Sequence, residues 1–161
     1  MAKAQQQTGR QEVLLTRVFD APRSLVFKAW TDPAQMAQWW GPQGFTNPMC
    51  RLDARPGGSI RIDMRGPDGR VYPMSGTFQK ILAPAKLVFT AVAEDAGGQP
   101  ILESLTTVTF TEAGGQTTVT VQASAIGFTS DAPGMLAGMH AGWSQSLERL
   151  AVSLAGTAGT P

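Results

Sequence analysis

The chain carries one histidine, one cysteine and one tyrosine, so its candidate chemistry rests on single residues. His140 follows Met139 and stands three residues before Trp143. It reads either as a surface histidine on a helix flank or as a lone general base beside a cavity. Cys50 would act as a nucleophile only if a nearby cation or helix N-terminus lowered its pKa. Arg51 adjoins it but points to the opposite face of a strand, so the expectation is a buried, inert thiol. Tyr72 brings a hydroxyl that needs a partner when buried. Glu103 enters the interior as an acid only if a bulge reverses the alternation of its strand; otherwise Ser104 and Thr106 are the inward polar groups.

The apolar candidates are more numerous. Trp39 and Trp40 read as one core ring and one rim ring, or as an aromatic gate at a cavity mouth that Phe45 could share. Met64, Met74, Met135 and Met139 read as ordinary core, or as the adaptable lining of a pocket. The expected cavity lining is Trp39, Trp40, Phe45, Ile62, Met64, Tyr72, Met74, Phe89, Thr106, Met135, Met139 and Trp143. No catalytic residue is assigned. The alternating charges Arg61, Asp63, Arg65, Asp68 and Arg70 read as a solvated outer face.

Composition narrows the classes. A single Cys and a single His allow no internal disulfide and no Cys/His zinc cluster, and no metal or organic cofactor is expected. Thirteen basic and 12 acidic side chains give a net charge of +1, which argues against nucleic acid as a partner. No apolar run approaches the ~20 residues that span a bilayer. The polar stretch Met1–Gln11 lacks the apolar core of a signal peptide, so the expected compartment is the cytoplasm. The 161 residues suit one domain over 11–155, with a polar tail at 1–10 and a linker-like tail at 156–161, both without fixed structure.

These residues must be placed by elements, and the pattern supplies them. Val13–Phe19 reads as a strand. Asp20-Ala21-Pro22 gives a helix start with Asp20 as cap, followed by Leu25, Val26, Ala29 and Trp30 at helical spacing. Thr31-Asp32-Pro33 repeats the signal for a second short helix ending near Trp39–Pro42. From Phe45 to Ser124, six alternating strands are separated by turns such as Arg55-Pro56-Gly57-Gly58 and Asp95-Ala96-Gly97-Gly98. One long helix is expected from about Asp131 to Leu154, with Leu136, Met139, Trp143, Leu147, Leu150 and Leu154 on its apolar face. Gly134, Gly138 and Gly142 form a stripe on it, each costing about 1 kcal/mol against Ala. Close approach of another backbone or of a ligand would offset that cost; self-association through the helix is a further alternative.

Strand, two short helices, six strands and a long helix imply an α+β architecture: a curved seven-stranded antiparallel sheet wrapped around the C-terminal helix. The ordered set Arg17-Val18-Phe19-Asp20-Ala21-Pro22, Val26-Phe27-Lys28-Ala29-Trp30-Thr31-Asp32-Pro33, Gln38-Trp39-Trp40-Gly41-Pro42-Gln43-Gly44-Phe45-Thr46, Asp53-Ala54-Arg55-Pro56-Gly57-Gly58, Met64-Arg65-Gly66-Pro67-Asp68-Gly69, Gly76-Thr77-Phe78 and Gly142-Trp143 with Ser146-Leu147-Glu148-Arg149-Leu150 carries a resemblance. It resembles the START-like, or Bet v-type (SRPBCC), helix-grip superfamily, and more closely its bacterial branch of heat-shock-protein ATPase activator homologues. The resemblance implies a helix-grip fold with an internal cavity for an apolar or amphipathic small molecule, and that binding role is the leading expectation. A polyketide cyclase or hydrolase-like enzyme in the same cavity is the alternative, requiring His140 or Glu103 to face it. A chaperone-interacting module is the second alternative; a chaperone partner is not favoured, and a homodimer stays open. The binding reading requires a void of roughly 300 Å³ or more.

Overall fold

The computed structural model describes residues 8–95 and 97–158. The chain begins with strand β1 (Gly9–Phe19), helix α1 (Arg23–Thr31) and helix α2 (Pro33–Trp39). Strands β2 (Thr46–Leu52), β3 (Ser59–Arg65), β4 (Val71–Leu82), β5 (Lys86–Glu94), β6 (Pro100–Ala113) and β7 (Gln116–Gly127) follow. Helices α3 (Ala132–Ala137) and α4 (Met139–Ala158) end it. The described elements run from Gly9 to Ala158, while 1–7 and 159–161 of the expected tails lie outside the described residues.

The strands form one antiparallel sheet in the order β1-β7-β6-β5-β4-β3-β2. Consecutive strands β2 to β7 are neighbours, as short turns between alternating segments require. β1 lies on the far edge beside β7, with Val13 opposite Ala123 and Arg17 opposite Val119. The chain must therefore cross from one edge of the sheet to the other between β1 and β2, and α1 and α2 make that crossing. They fill one end of the curved sheet: Val26, Phe27, Ala29 and Trp30 of α1 and Met36 and Trp39 of α2 are buried. Trp30 meets Trp39 at 4.6 Å between ring centres and Phe110 at 6.0 Å, both edge-on, a favourable arrangement for the ring quadrupoles.

The expected start of α1 differs in detail. Its N-cap position is Pro22, without a side-chain cap, so Asp20 stands too far upstream to serve. The Glu112 carboxylate on β6 accepts from the Arg23 N–H instead. In α2 the expected cap forms: Asp32 accepts from the Ala34 N–H at 3.0 Å.

The single long helix predicted at the C-terminus is two helices. Gly138 ends α3 with φ −86° and ψ −3°, outside ideal helical torsions, and α4 starts at the next residue. The apolar periodicity runs through the junction, so the pattern alone shows no break. The two pieces pack differently: α3 lies on β1 and β7, while α4 lies along α2 and β1. Gly127 lets α3 come this close, because a Cβ there would stand 2.4 Å from Ala132 Cβ.

Candidate functional site

Between the sheet and the C-terminal helices lies a cavity of about 480 Å³. Its floor is sheet: Ala91 and Ala93 of β5 with Ser104 and Thr106 of β6. Further along the same strands Leu87, Val108 and Phe110 are large and buried. The small side chains are therefore grouped where the void is. Its roof contains Gly134, Gly138 and Gly142. A Cβ on Gly134 would meet nothing within 4 Å, one on Gly138 only its own helix's carbonyls at 3.7 Å, and one on Gly142 only Pro42 Cγ at 3.7 Å. The glycine stripe thus faces empty space. No second backbone lies against it, and Gly134 and Gly138 are also exposed.

Most of the predicted lining residues do border this void: Trp40, Phe45, Met64, Tyr72, Met74, Phe89, Thr106, Met135, Met139 and Trp143. Two do not. Trp39 is fully buried in the core, where its indole N–H donates to the Ala29 carbonyl at 3.0 Å. Ile62 is covered by α2 and borders only a gap of about 10 Å³ shared with Met36 and Trp30. The expectation of one core and one rim Trp also needs correction, because both rings are buried. The pair sits at a helix end rather than in a strand: Trp39 closes α2, and the extended backbone of Trp40 turns its ring toward Phe89 and Trp143.

The loop after α2 forms the cavity's edge. Gly41 and Gly44 have φ of 94° and 89°, in the left-handed region that glycine tolerates. Arg149 of α4 holds this loop. Its Nη1 donates to the carbonyls of Trp40, Gly41 and Pro42 at 2.9, 2.9 and 3.1 Å, and its Nη2 to that of Gln38 at 3.1 Å. Gln145 Oε1 accepts from the Gln43 N–H at 3.0 Å. Asn47 Nδ2 donates to the Ala37 and Trp40 carbonyls, both at 2.9 Å. Arg149 and Asn47 thus satisfy carbonyls at the end of α2 and in the loop after it. Burial of the Arg149 guanidinium lowers its pKa from the usual value. The sequence reading includes Arg149 only as part of the family-like run and does not include Asn47, because long-range capping leaves no periodic signal.

Phe45 and Tyr72 pair at 6.0 Å at the more open end, and Met135, also on the lining, is 37% exposed. Tyr72 Oη lies 3.5 Å from Asp68 Oδ2, and the Arg70 guanidinium sits 5.6 Å from the centre of its ring. The deeper end carries two hydroxyls, Thr106 and Ser146, with 1% and 5% exposure. Ser146 enters the sequence reading only within the run Ser146–Leu150 that carries the resemblance, with no cavity role, although it shares the helical spacing of Met139, Gly142 and Trp143, and that spacing could have assigned one.

The titratable candidates lie elsewhere. His140 is exposed on α4, away from the cavity. Glu103 is exposed on the outer face of β6, whose register against β7 runs without a bulge from Leu102 to Ala113. Cys50 is half-buried, and burial, with a lesser contribution from the Asp32 charge, pushes its thiol up to about 11. Among the described residues no group of His, Cys, Asp and Glu gathers to hold a metal ion, and no helix is long and apolar enough to cross a membrane.

Comparison with known proteins identifies the lineage of this geometry. The model of the family described as Activator of Hsp90 ATPase homolog 1-like protein matches residues 20–155. The chain belongs to this family. No curated protein sequence matches it. Among solved structures, a protein from Arthrobacter aurescens is 27% identical, with 89% of this chain and 86% of that one covered at a TM-score of 0.76. Protein CV1439 from Chromobacterium violaceum is 27% identical, with coverage of 88% and 95% and a TM-score of 0.73. The AHSA1 protein from Silicibacter pomeroyi is 26% identical, with coverage of 89% and 97% and a TM-score of 0.72. The α+β helix-grip architecture, a curved seven-stranded sheet with C-terminal helices, is shared with this family.

Proposed function

We propose that this member of the family is a small-molecule binding domain of the cytoplasm that holds an apolar or amphipathic ligand between sheet and C-terminal helices. One observation carries the reading: small side chains on the floor and glycines on the roof face each other across about 480 Å³ of empty space. A void of that size costs stability when nothing fills it. Glycine in a helix adds to that cost. Both costs are offset when a ligand takes the place of the missing side chains. The volume falls within the range of small-molecule sites, and aromatic and thioether groups dominate the lining. A half-buried free thiol suits a reducing compartment.

The cyclase or hydrolase alternative draws its acid or base from His140 or Glu103, and both are exposed outside the cavity. The chaperone-interacting alternative has the family's name in its support. A thermal-shift screen of lipids, polyketides and aromatic metabolites tests the binding reading. A ligand at a hundredfold excess over Kd is expected to stabilise the protein by about 2.7 kcal/mol. Failure of every apolar class to raise the melting temperature overturns it.

A further inference from the structure

The cavity wall contains no charged side chain among the described residues. Two guanidiniums stand near its edge: that of Arg149 is committed to four backbone carbonyls, and that of Arg70 lies over the Tyr72 ring at the more open end, off the cavity wall. A carboxylate drawn into this space would lose its water with no counter-charge to replace it, a penalty of several kcal/mol. The deeper end is not uniformly apolar, however. Thr106 on the sheet side and Ser146 on the helix side are each more than nine-tenths buried, and both border the cavity. Neither hydroxyl bonds to another described residue, and neither oxygen is among the fully buried polar atoms left without a partner, so both are open to the cavity. Hydroxyls in a mostly apolar wall are ordinarily paired, so two that face one void without a partner in the protein point to a polar group supplied from outside the chain.

We propose that the Thr106 and Ser146 hydroxyls form a polar subsite for one uncharged hydrogen-bonding group, a hydroxyl or carbonyl, on an otherwise apolar ligand. The inference rests on the binding function proposed above and narrows its ligand class: neutral alcohols, phenols and ketones enter, and their carboxylate counterparts do not. A hydroxyl can donate or accept, so each wall accommodates either a ligand O–H or a ligand C=O. The remainder of the molecule lies against Trp40, Trp143 and the methionines, which impose shape but no charge.

Displacement of the neutral fluorophore N-phenylnaphthylamine by naphthalene, naphthol and naphthoate at pH 7 separates the two claims. Naphthalene tests the cavity alone. Naphthol is expected to bind about fivefold more tightly than naphthalene, the effect of one net hydrogen bond, and naphthoate about tenfold or more weakly than naphthol. In Thr106→Val/Ser146→Ala, naphthol is expected to fall to the level of naphthalene while naphthalene itself is unchanged. Should the double variant fail to fold, each single variant is expected to lose part of the naphthol advantage. Naphthoate binding as tightly as naphthol overturns the proposal, as does a naphthol advantage that survives in the variants. Equal loss of naphthalene binding in the variants also overturns it, because the two residues would then act by shape. If neither the fluorophore nor naphthalene binds the parent protein, the binding function itself fails and the subsite falls with it.

Discussion

Single residues in this protein divide by what surrounds them, and Cys50 shows the division well. It is half-buried against the core, beside Leu52 and under the influence of Asp32, and its thiol is raised to about 11 from an ordinary value near 9.0. Desolvation is the larger cause, and it acts on the charged thiolate. The folded state therefore holds the proton more firmly than the unfolded chain. Its contribution to stability is fully present below pH 9 and is lost as pH rises from about 9 to about 11. Urea denaturation across that window is expected to show a decline that Cys50→Ala lacks. At pH 8 the native thiol is expected to alkylate far more slowly than the same thiol in urea. Equal alkylation rates would show a thiol in contact with solvent. Trp40 makes the opposite case: its ring is as buried as a core ring but borders the void, so the same residue type serves packing at 39 and lining at 40.

At the scale of elements, the sequence is most legible where one rule acts alone. Alternation of apolar and polar residues placed all six middle strands, because short turns force neighbours to pair and one face to be buried. It placed Ser104 and Thr106 inward and Glu103 outward for the same reason. Legibility ends where two elements compete for one residue. Ile62 has the same parity as Met64, but α2 covers the first and stops short of the second, and strand pattern carries no record of that. The break at Gly138 is likewise hidden, since α3 and α4 keep a common apolar stripe while packing on different partners. The glycines themselves give a sharp test. Gly134 and Gly142 have ordinary torsions and free space or ordinary contact where a Cβ would stand. Alanine at either is expected to raise stability by about 0.5–1 kcal/mol in urea denaturation. Gly134→Leu, which projects a side chain into the void, is expected to fold normally and to weaken binding of the neutral fluorophore about tenfold or more. Destabilisation by Gly134→Ala would mean that the roof is packed rather than hollow.

The whole molecule is two halves under one sheet. One half is dense: Trp30, Trp39, Phe27, Phe110, Leu147 and Leu150 join α1, α2 and α4 to the sheet in a continuous core. The other half is the cavity, roofed by the junction of α3 and α4. Helix α3 holds on through Ala132 and Leu136, its buried residues, and through the Gln11 side-chain N–H, which donates to the Leu136 carbonyl at 3.4 Å. A segment with so few buried contacts opens at a lower free energy than the global unfolding that releases β6 and β7. Hydrogen exchange is therefore expected to separate the halves. Amides of residues 134–142 exchange by local opening in the free protein, while those of β6 and β7 require full unfolding. A neutral ligand touches both floor and roof, so it supplies the contacts the roof lacks, and protection is expected to rise first and most at the α3–α4 junction. Uniform protection across the chain would show binding to the native state without closure of the roof. Junction amides as slow as those of β6 in the free protein would show that the roof is already rigid, with no opening through which a ligand could enter there.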